Sequence, residues 1–171
     1  MKRGVSPPGA EITVRDATPA DVDALVAMLV EVAGEGRWIG TEAPVDTERR
    51  RRRMAADVEA ADVVVLVAEA DGEPVGQLGL ELARYGVADL GMLVAAGWRG
   101  RGVGTALMAE AVERARAAGA HKIALQVWPH NAAAIALYER FGFQREGYLR
   151  RHYRRRSGEL WDAVVMGLPL D

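Results

Sequence analysis

The 171-residue sequence predicts a mixed α/β fold in one domain: a mostly antiparallel central sheet with helices on both faces. Three observations lead there. Runs of strand length alternate with segments of helical periodicity in the order β-α-α-β-β-β-α-β-α-β-β, which departs from the regular βαβα of a doubly wound sheet. Asp71-Gly72 and Ser157-Gly158 each sit between two strand-like runs, so both pairs read as hairpins. Strand 87–95 feeds a helix instead, as a crossover to a parallel neighbour does.

Taken in order, residues 1–10 carry Gly4, Pro7, Pro8 and Gly9 and read as a loose tail, leaving 11–171 as the domain. EITVR (11–15) alternates as a short strand. In ATPADVDALVAMLVEV, Thr18 caps, Pro19 suits the first helical position and Asp21 completes a capping box. Leu25, Met28, Leu29 and Val32 then fall on one helical face. Residues 34–45, GEGRWIGTEAPV, are a glycine-rich loop, and 47–60 form a second helix with arginine at 49–53. Strands follow at 63–70, 74–82 and 87–95. The next helix sets Val103, Leu107, Ala111 and Ala115 on one face, and Gly119 closes it. HKIALQVW (121–128) is a strand ended by Pro129, NAAAIALYERFG (131–142) is a helix stopped by glycine, and 143–153 with 159–170 make the last hairpin.

Composition narrows the classes. The net charge of −2 gives no whole-molecule field toward nucleic acid or a membrane. The absence of cysteine excludes disulfides, thiolate metal sites and a cysteine nucleophile, and fits a reducing cytoplasm. The start lacks the apolar stretch of a signal peptide, and no run approaches the roughly 18 apolar residues of a membrane span. No metal site is expected.

GWRGRGVGTAL (97–107) places glycines at 100, 102 and 104 between a strand and a helix. The dinucleotide fingerprint G-x-G-x-x-G/A fails in both registers, ending on Thr105 or Leu107, and no Lys-Ser/Thr follows to make a P-loop. What remains is R-x-x-G-x-G, from Arg99 to Gly104. Free N–H groups at a helix N-terminus, glycines that let an anion approach the backbone, and the charges of Arg99 and Arg101 make a phosphate cradle. By itself the stretch also admits a strand-to-helix turn with two solvated arginines.

The second constellation lies some thirty residues on. In NAAAIALYERFGF, Asn131 and Tyr138 are two helical turns apart and near one face. Each has a plain structural role available, Asn131 as a cap and Tyr138 as a core residue. Together, LGMLVAAGWRGRGVGTAL and NAAAIALYERFGF resemble the two signatures of the GCN5-related N-acetyltransferases (GNAT), R/Q-x-x-G-x-G/A after an apolar strand and N-x-x-A-x-x-L-Y-x-x-x-G-F. The element order is also similar to theirs.

The resemblance implies an enzyme that moves an acetyl group from acetyl-CoA to a primary amine by direct attack. The backbone of Gly100, Arg101, Gly102, Val103, Gly104 and Thr105 would hold the CoA pyrophosphate, with Arg99 and Arg101 adding charge. The backbone of Met92, Leu93 and Val94 would pair with the pantetheine arm, with a bulge at Gly91 to splay the strand. Asn131 would bond the same arm. A backbone N–H near Val94 would serve the oxyanion and Tyr138 would be the general acid. Some members carry a catalytic glutamate where this chain has Gln126. Asp89 is therefore the candidate base, though a strand-end carboxylate also pairs readily with an arginine; Glu42 and His130 are the other options. The rival reading is a module that holds acyl-CoA as a sensor without turnover.

The acceptor side falls to GRWIGTEAP and the final hairpin. Trp38 and Glu42 are the candidate substrate contacts, and Tyr148, Tyr153 and Trp161 are further candidates for an apolar or cation-binding wall. Each aromatic also has a plain role in covering core edges. The acceptor is a small-molecule amine, an amino acid or a peptide N-terminus. Five consecutive arginines point all round a helix, so 49–53 and 154–156 read as solvated or intersubunit, the latter in a homodimer, with no nucleic-acid partner.

Overall fold

The computed structural model describes residues 9–83 and 85–171. The tail expected at 1–10 therefore lies outside the described residues except for Gly9 and Ala10. The strands are β1 Ile12–Asp16, β2 Val63–Ala70, β3 Glu73–Leu82, β4 Val87–Val94, β5 Lys122–Val127, β6 Gln144–Arg154 and β7 Leu160–Pro169. The helices are α1 Val22–Gly34, α2 Thr47–Glu59, α3 Val103–Ala117 and α4 Ala132–Arg140. Element order and type agree with the sequence expectation throughout. No helix among the described residues is long and apolar enough to cross a membrane.

Local chemistry sets these boundaries. Thr18 and Asp21 form the capping box, the Asp21 carboxylate accepting from the Thr18 N–H at 2.7 Å, and a single 3-10 turn over Pro19–Asp21 leads into α1. Arg15 grips the same carboxylate with two bonds of 2.7 and 2.8 Å and holds it well below the usual aspartate range. The β2–β3 turn takes Asp71 and Gly72 to φ +52° and +79°, the left-handed pair a tight hairpin needs.

All seven strands join one sheet in the order β1-β2-β3-β4-β5-β7-β6, antiparallel except between β4 and β5. On one face, α3 buries Val103, Leu107, Met108, Ala111 and Ala115 against Leu66, Leu78, Leu80 and Ile123. Ile135, Leu137 and Tyr138 bring α4 into the same core. On the other face, Met28 and Val32 of α1 pack on Leu93, and Gln77 donates to the Leu25 carbonyl at 2.9 Å. In α2, Arg51 pairs with Asp23 and Glu48, Arg52 with Glu48, and Arg53 with Asp57.

Candidate active site

β4 and β5 stay paired only over Val87–Asp89 and Lys122–Ala124. Beyond that point they part, and the gap widens into a cavity of about 730 Å³ that reaches both faces of the sheet. One half is walled by Met92, Val94, the glycine turn, Asn131, Leu137 and Tyr138. The other is walled by Trp38, Ile39, Gly40, Gln126, Trp128 and Tyr153.

The backbone of β4 supplies one edge. Ala95 N–H donates to the Val75 carbonyl and Ala83 N–H to the Val87 carbonyl, with unbroken register between. Residues 87, 89, 91, 93 and 95 therefore direct their backbone groups to β3, and Met92 and Val94 direct theirs into the gap. Leu93 departs from the expected trio: its amide faces β3 and its side chain packs on Met28 and Val32. The expected bulge is also absent. Gly91 pairs with Gly79 in continuous register, and the gap opens because parallel pairing stops after Asp89.

The glycine turn supplies a second edge. Gly100 and Gly102 have φ of +70° and +87°, where a side chain would be strained. The first hydrogen bond of α3 runs from Ala106 N–H to the Gly102 carbonyl at 3.0 Å. The N–H groups of Val103, Gly104 and Thr105 precede it, at the positive end of the helix and bordering the cavity. A Cβ on Gly104 would lie 2.9 Å from Leu137 Cδ2, so glycine there lets α3 and α4 close on each other. The arginines are less free than their spacing implies. Arg99 forms a two-pronged ion pair with Glu35, both bonds 2.8 Å, and its Nε donates to the Val94 carbonyl at 3.2 Å. Arg99, seconded by the Trp38 indole N–H, holds the Glu35 carboxyl below its ordinary range. Arg101 stacks over Trp98 at 4.7 Å and does not line the cavity.

Tyr138 is buried, with its ring 5.6 Å from Phe143. Its hydroxyl has no protein hydrogen-bond partner among the described residues, and burial pushes its pKa up to about 12. Asn131 caps α4, its Oδ1 accepting from Ala134 N–H at 3.3 Å, and the residue also lines the cavity.

The far half is aromatic. Trp128 meets Tyr153 and Trp161 edge to face, each at 5.2 Å. Arg155, only 6% exposed, stacks over Trp161 at 4.2 Å, donates to the Gly40 carbonyl at 3.2 Å and pairs with Glu42 at 3.4 Å. Arg156 N–H donates to Glu42 at 3.1 Å, and His130 bonds the Arg37 carbonyl at 2.7 Å. The connection between α1 and α2 is thereby tied down onto the β6–β7 hairpin. Tyr153 donates its hydroxyl hydrogen to Gln126 Oε1. Neither Arg155 nor this tyrosine–glutamine bond was visible in the sequence. Arg155 sits inside a run of three arginines, and Tyr153 meets Gln126 from 27 residues away.

Comparison with known proteins decides the family. The profile described as Acetyltransferase (GNAT) family matches residues 30–143. The chain belongs to the GNAT acetyltransferases. It is 32% identical over 162 residues to the L-amino acid N-acetyltransferase AaaT of Escherichia coli K12, spanning 92% of this chain and 97% of that protein. It is 29% identical over 164 residues to an L-methionine sulfoximine/L-methionine sulfone acetyltransferase of Pseudomonas paraeruginosa, spanning 93% and 95%. Its fold superposes with a TM-score of 0.83 on yncA from Salmonella typhimurium, solved with its cofactor acetyl-CoA, at 25% identity and 94% coverage of both chains. This GNAT protein is accordingly an acetyl-CoA-dependent N-acetyltransferase.

Three acceptor-side expectations change within this GNAT framework. Asp89 is exposed at the end of β4 that still pairs with β5, so the sheet keeps it off the cavity wall. The Glu42 carboxylate is held by Arg155 and the Arg156 amide, and it braces the loop instead of lining the cavity. Tyr148 lies outside on β6, donating to Asp162 at 2.7 Å. Trp38 and Tyr153 do line the cavity, and Trp161 backs Trp128 from behind.

Proposed function

We propose that the protein acetylates the amino group of a small acceptor of the free amino acid type. The observation that carries this reading is the lining of the cavity. It contains no aspartate or glutamate among the described residues, and its charged members are Arg140 and Arg99, the latter paired with Glu35. Such a wall disfavours polyamines and lysine-rich peptides and tolerates a carboxylate beside the amine. The relatives named for amino acids and amino acid analogues support the same class. They favour turnover over a sensor that only holds acyl-CoA. We place the reaction in the cytoplasm, in one domain over residues 11–171.

The residues fit acetyl-CoA, which when bound supplies an acetyl thioester. The free N–H groups of Val103, Gly104 and Thr105 suit the pyrophosphate, since anions bind where helix amides lack partners. The open backbone of Met92 and the Asn131 Nδ2, whose Oδ1 is already held by the α4 cap, suit the pantetheine amides, while the Val94 carbonyl is taken by Arg99. The amine nitrogen forms its bond to the acetyl carbon, the C–S bond breaks, and the sulfur takes a proton. Val94 N–H stabilises the carbonyl oxygen as it gains charge.

Tyr138 supplies the sulfur's proton. At about 12 its pKa lies above the roughly 8.5 of a free thiol, a gap worth about 5 kcal/mol for full transfer to a thiolate that kept its solution pKa. The same burial disfavours a bare thiolate, so the gap narrows in the site. Tyr138 thus donates a hydrogen bond first and passes the proton as the C–S bond breaks. With no carboxylate on the wall, the amine sheds its own protons to water. Thiol release from acetyl-CoA, measured over amino acids, amines and N-terminal peptides, tests the reading. It predicts the highest kcat/KM among free amino acids. A preference for polyamines or basic peptides overturns it.

A further inference from the structure

We propose that Gln126 and Tyr153 are the specificity pair for the acceptor, together recognising an amine that carries a carboxylate or carbonyl oxygen on the adjoining carbon. This rests on the functional reading above and adds the residues that enforce it.

Strand alternation puts Gln126 on the acceptor side. Leu125 and Val127 point into the α3/α4 core, so Gln126 between them points to the opposite face, where it is exposed to the cavity. Tyr153 arrives from β6, its ring braced edge-on by Trp128. The tyrosine's single hydroxyl hydrogen goes to Gln126 Oε1. Tyr153 Oη is left with lone pairs alone and accepts from an amine N–H. Gln126 Nε2 keeps two N–H groups with no protein partner among the described residues, and donates to an oxygen.

An acceptor site and a donor site thus lie side by side in a wall otherwise formed by Trp38, Ile39, Gly40, Trp128 and Ala163. An α-amino acid or its amide satisfies both. A simple alkylamine satisfies Tyr153 and leaves the glutamine amide unmatched. Sites built to bond a particular polar group discriminate strongly against ligands that lack it.

The test compares L-methionine sulfone, its amide and its decarboxylated amine as acceptors for the full-length protein with acetyl-CoA. Wild type is expected to favour the first two over the amine by at least tenfold in kcat/KM. Tyr153→Phe lowers kcat/KM at least tenfold for all three while acetyl-CoA affinity stays within twofold. Gln126→Glu keeps the acceptor for the Tyr153 hydroxyl but sets a negative oxygen against the substrate carboxylate. It lowers the preference for acid over amine at least tenfold, a change of selectivity that a merely structural residue would not produce. Because glutamate has glutamine's shape, this variant carries the test if the phenylalanine variant fails to fold. Variants that keep the wild-type kcat/KM and preference within twofold overturn the inference alone. A wild type that binds acetyl-CoA and acetylates none of the three overturns the functional reading and the inference with it.

Discussion

Replacing Arg155 with methionine removes a guanidinium from between two indoles while keeping most of its volume. The variant loses the bond to the Gly40 carbonyl at 3.2 Å, the pairing with Glu42 at 3.4 Å and the stacking on Trp161 at 4.2 Å. Hydrogen bonds to charged groups contribute about 1.5–3 kcal/mol and a cation–π contact about 0.5–2 kcal/mol. Against these stands the relief of a buried charge's desolvation. Glu42 also keeps the Arg156 amide and some solvent, its side chain being 23% exposed. The net loss should be about 2–3 kcal/mol, or roughly 5–10 °C in Tm for a domain this size. Urea unfolding measures it directly. The loop carrying Trp38, Ile39 and Gly40 also loses its tether, so the acceptor KM should rise several-fold while acetyl-CoA affinity stays within twofold. A stability change below about 0.5 kcal/mol together with an unaltered acceptor KM would refute the claim that Arg155 holds the acceptor wall.

Gly104→Ala forces a Cβ to 2.9 Å from Leu137 Cδ2; overpacking of this kind costs about 1–3 kcal/mol, and calorimetry should show acetyl-CoA binding at least tenfold weaker. Asp21→Asn should destabilise by about 1–3 kcal/mol at neutral pH, read by denaturant unfolding. The native Asp21 pKa is depressed chiefly by its Arg15 bonds, so this stabilisation is present above the unfolded aspartate pKa of about 4 and is lost as pH falls below it. The gap between wild type and variant should therefore shrink in acid. Asp89→Asn should leave kcat/KM within twofold, since the carboxylate lies off the cavity wall; a hundredfold loss in steady-state assays would restore it as a base.

Local signals account for what the sequence disclosed. Asp71-Gly72 needs only its own two residues to make a hairpin, and Gly100 and Gly102 announce the left-handed turn before α3. Asn131 and Tyr138 share a face through helical geometry alone and reach the same cavity. What stayed hidden depends on strands meeting across the sheet. The backbone groups of Leu93 are turned to β3 by ladder parity, which is fixed by bonds at Ala95 and Ala83 and by no property of leucine, although the residue still lines the cavity. Arg155 is indistinguishable from Arg154 and Arg156 in the chain until the hairpin register turns it under the Gly40–Glu42 loop. Asp89 precedes Met92 in the chain, as a base on β4 should, but the β4–β5 pairing runs far enough to leave it in the closed part of the sheet.

We propose that the cavity between β4 and β5 performs acetyl transfer with Tyr138 protonating the departing sulfur. Single-turnover thiol release by wild type and Tyr138→Phe, each saturated with acetyl-CoA and followed from pH 6 to 10, tests it most directly. General acid catalysis of this kind contributes about 10²–10⁴-fold. The phenylalanine variant should lose at least a hundredfold in rate with acetyl-CoA affinity within twofold. The wild-type rate should climb as the acceptor amine deprotonates, without a fall from Tyr138 ionisation, whose pKa of about 12 lies above the range. An unaltered rate in the phenylalanine variant would remove Tyr138 as the acid.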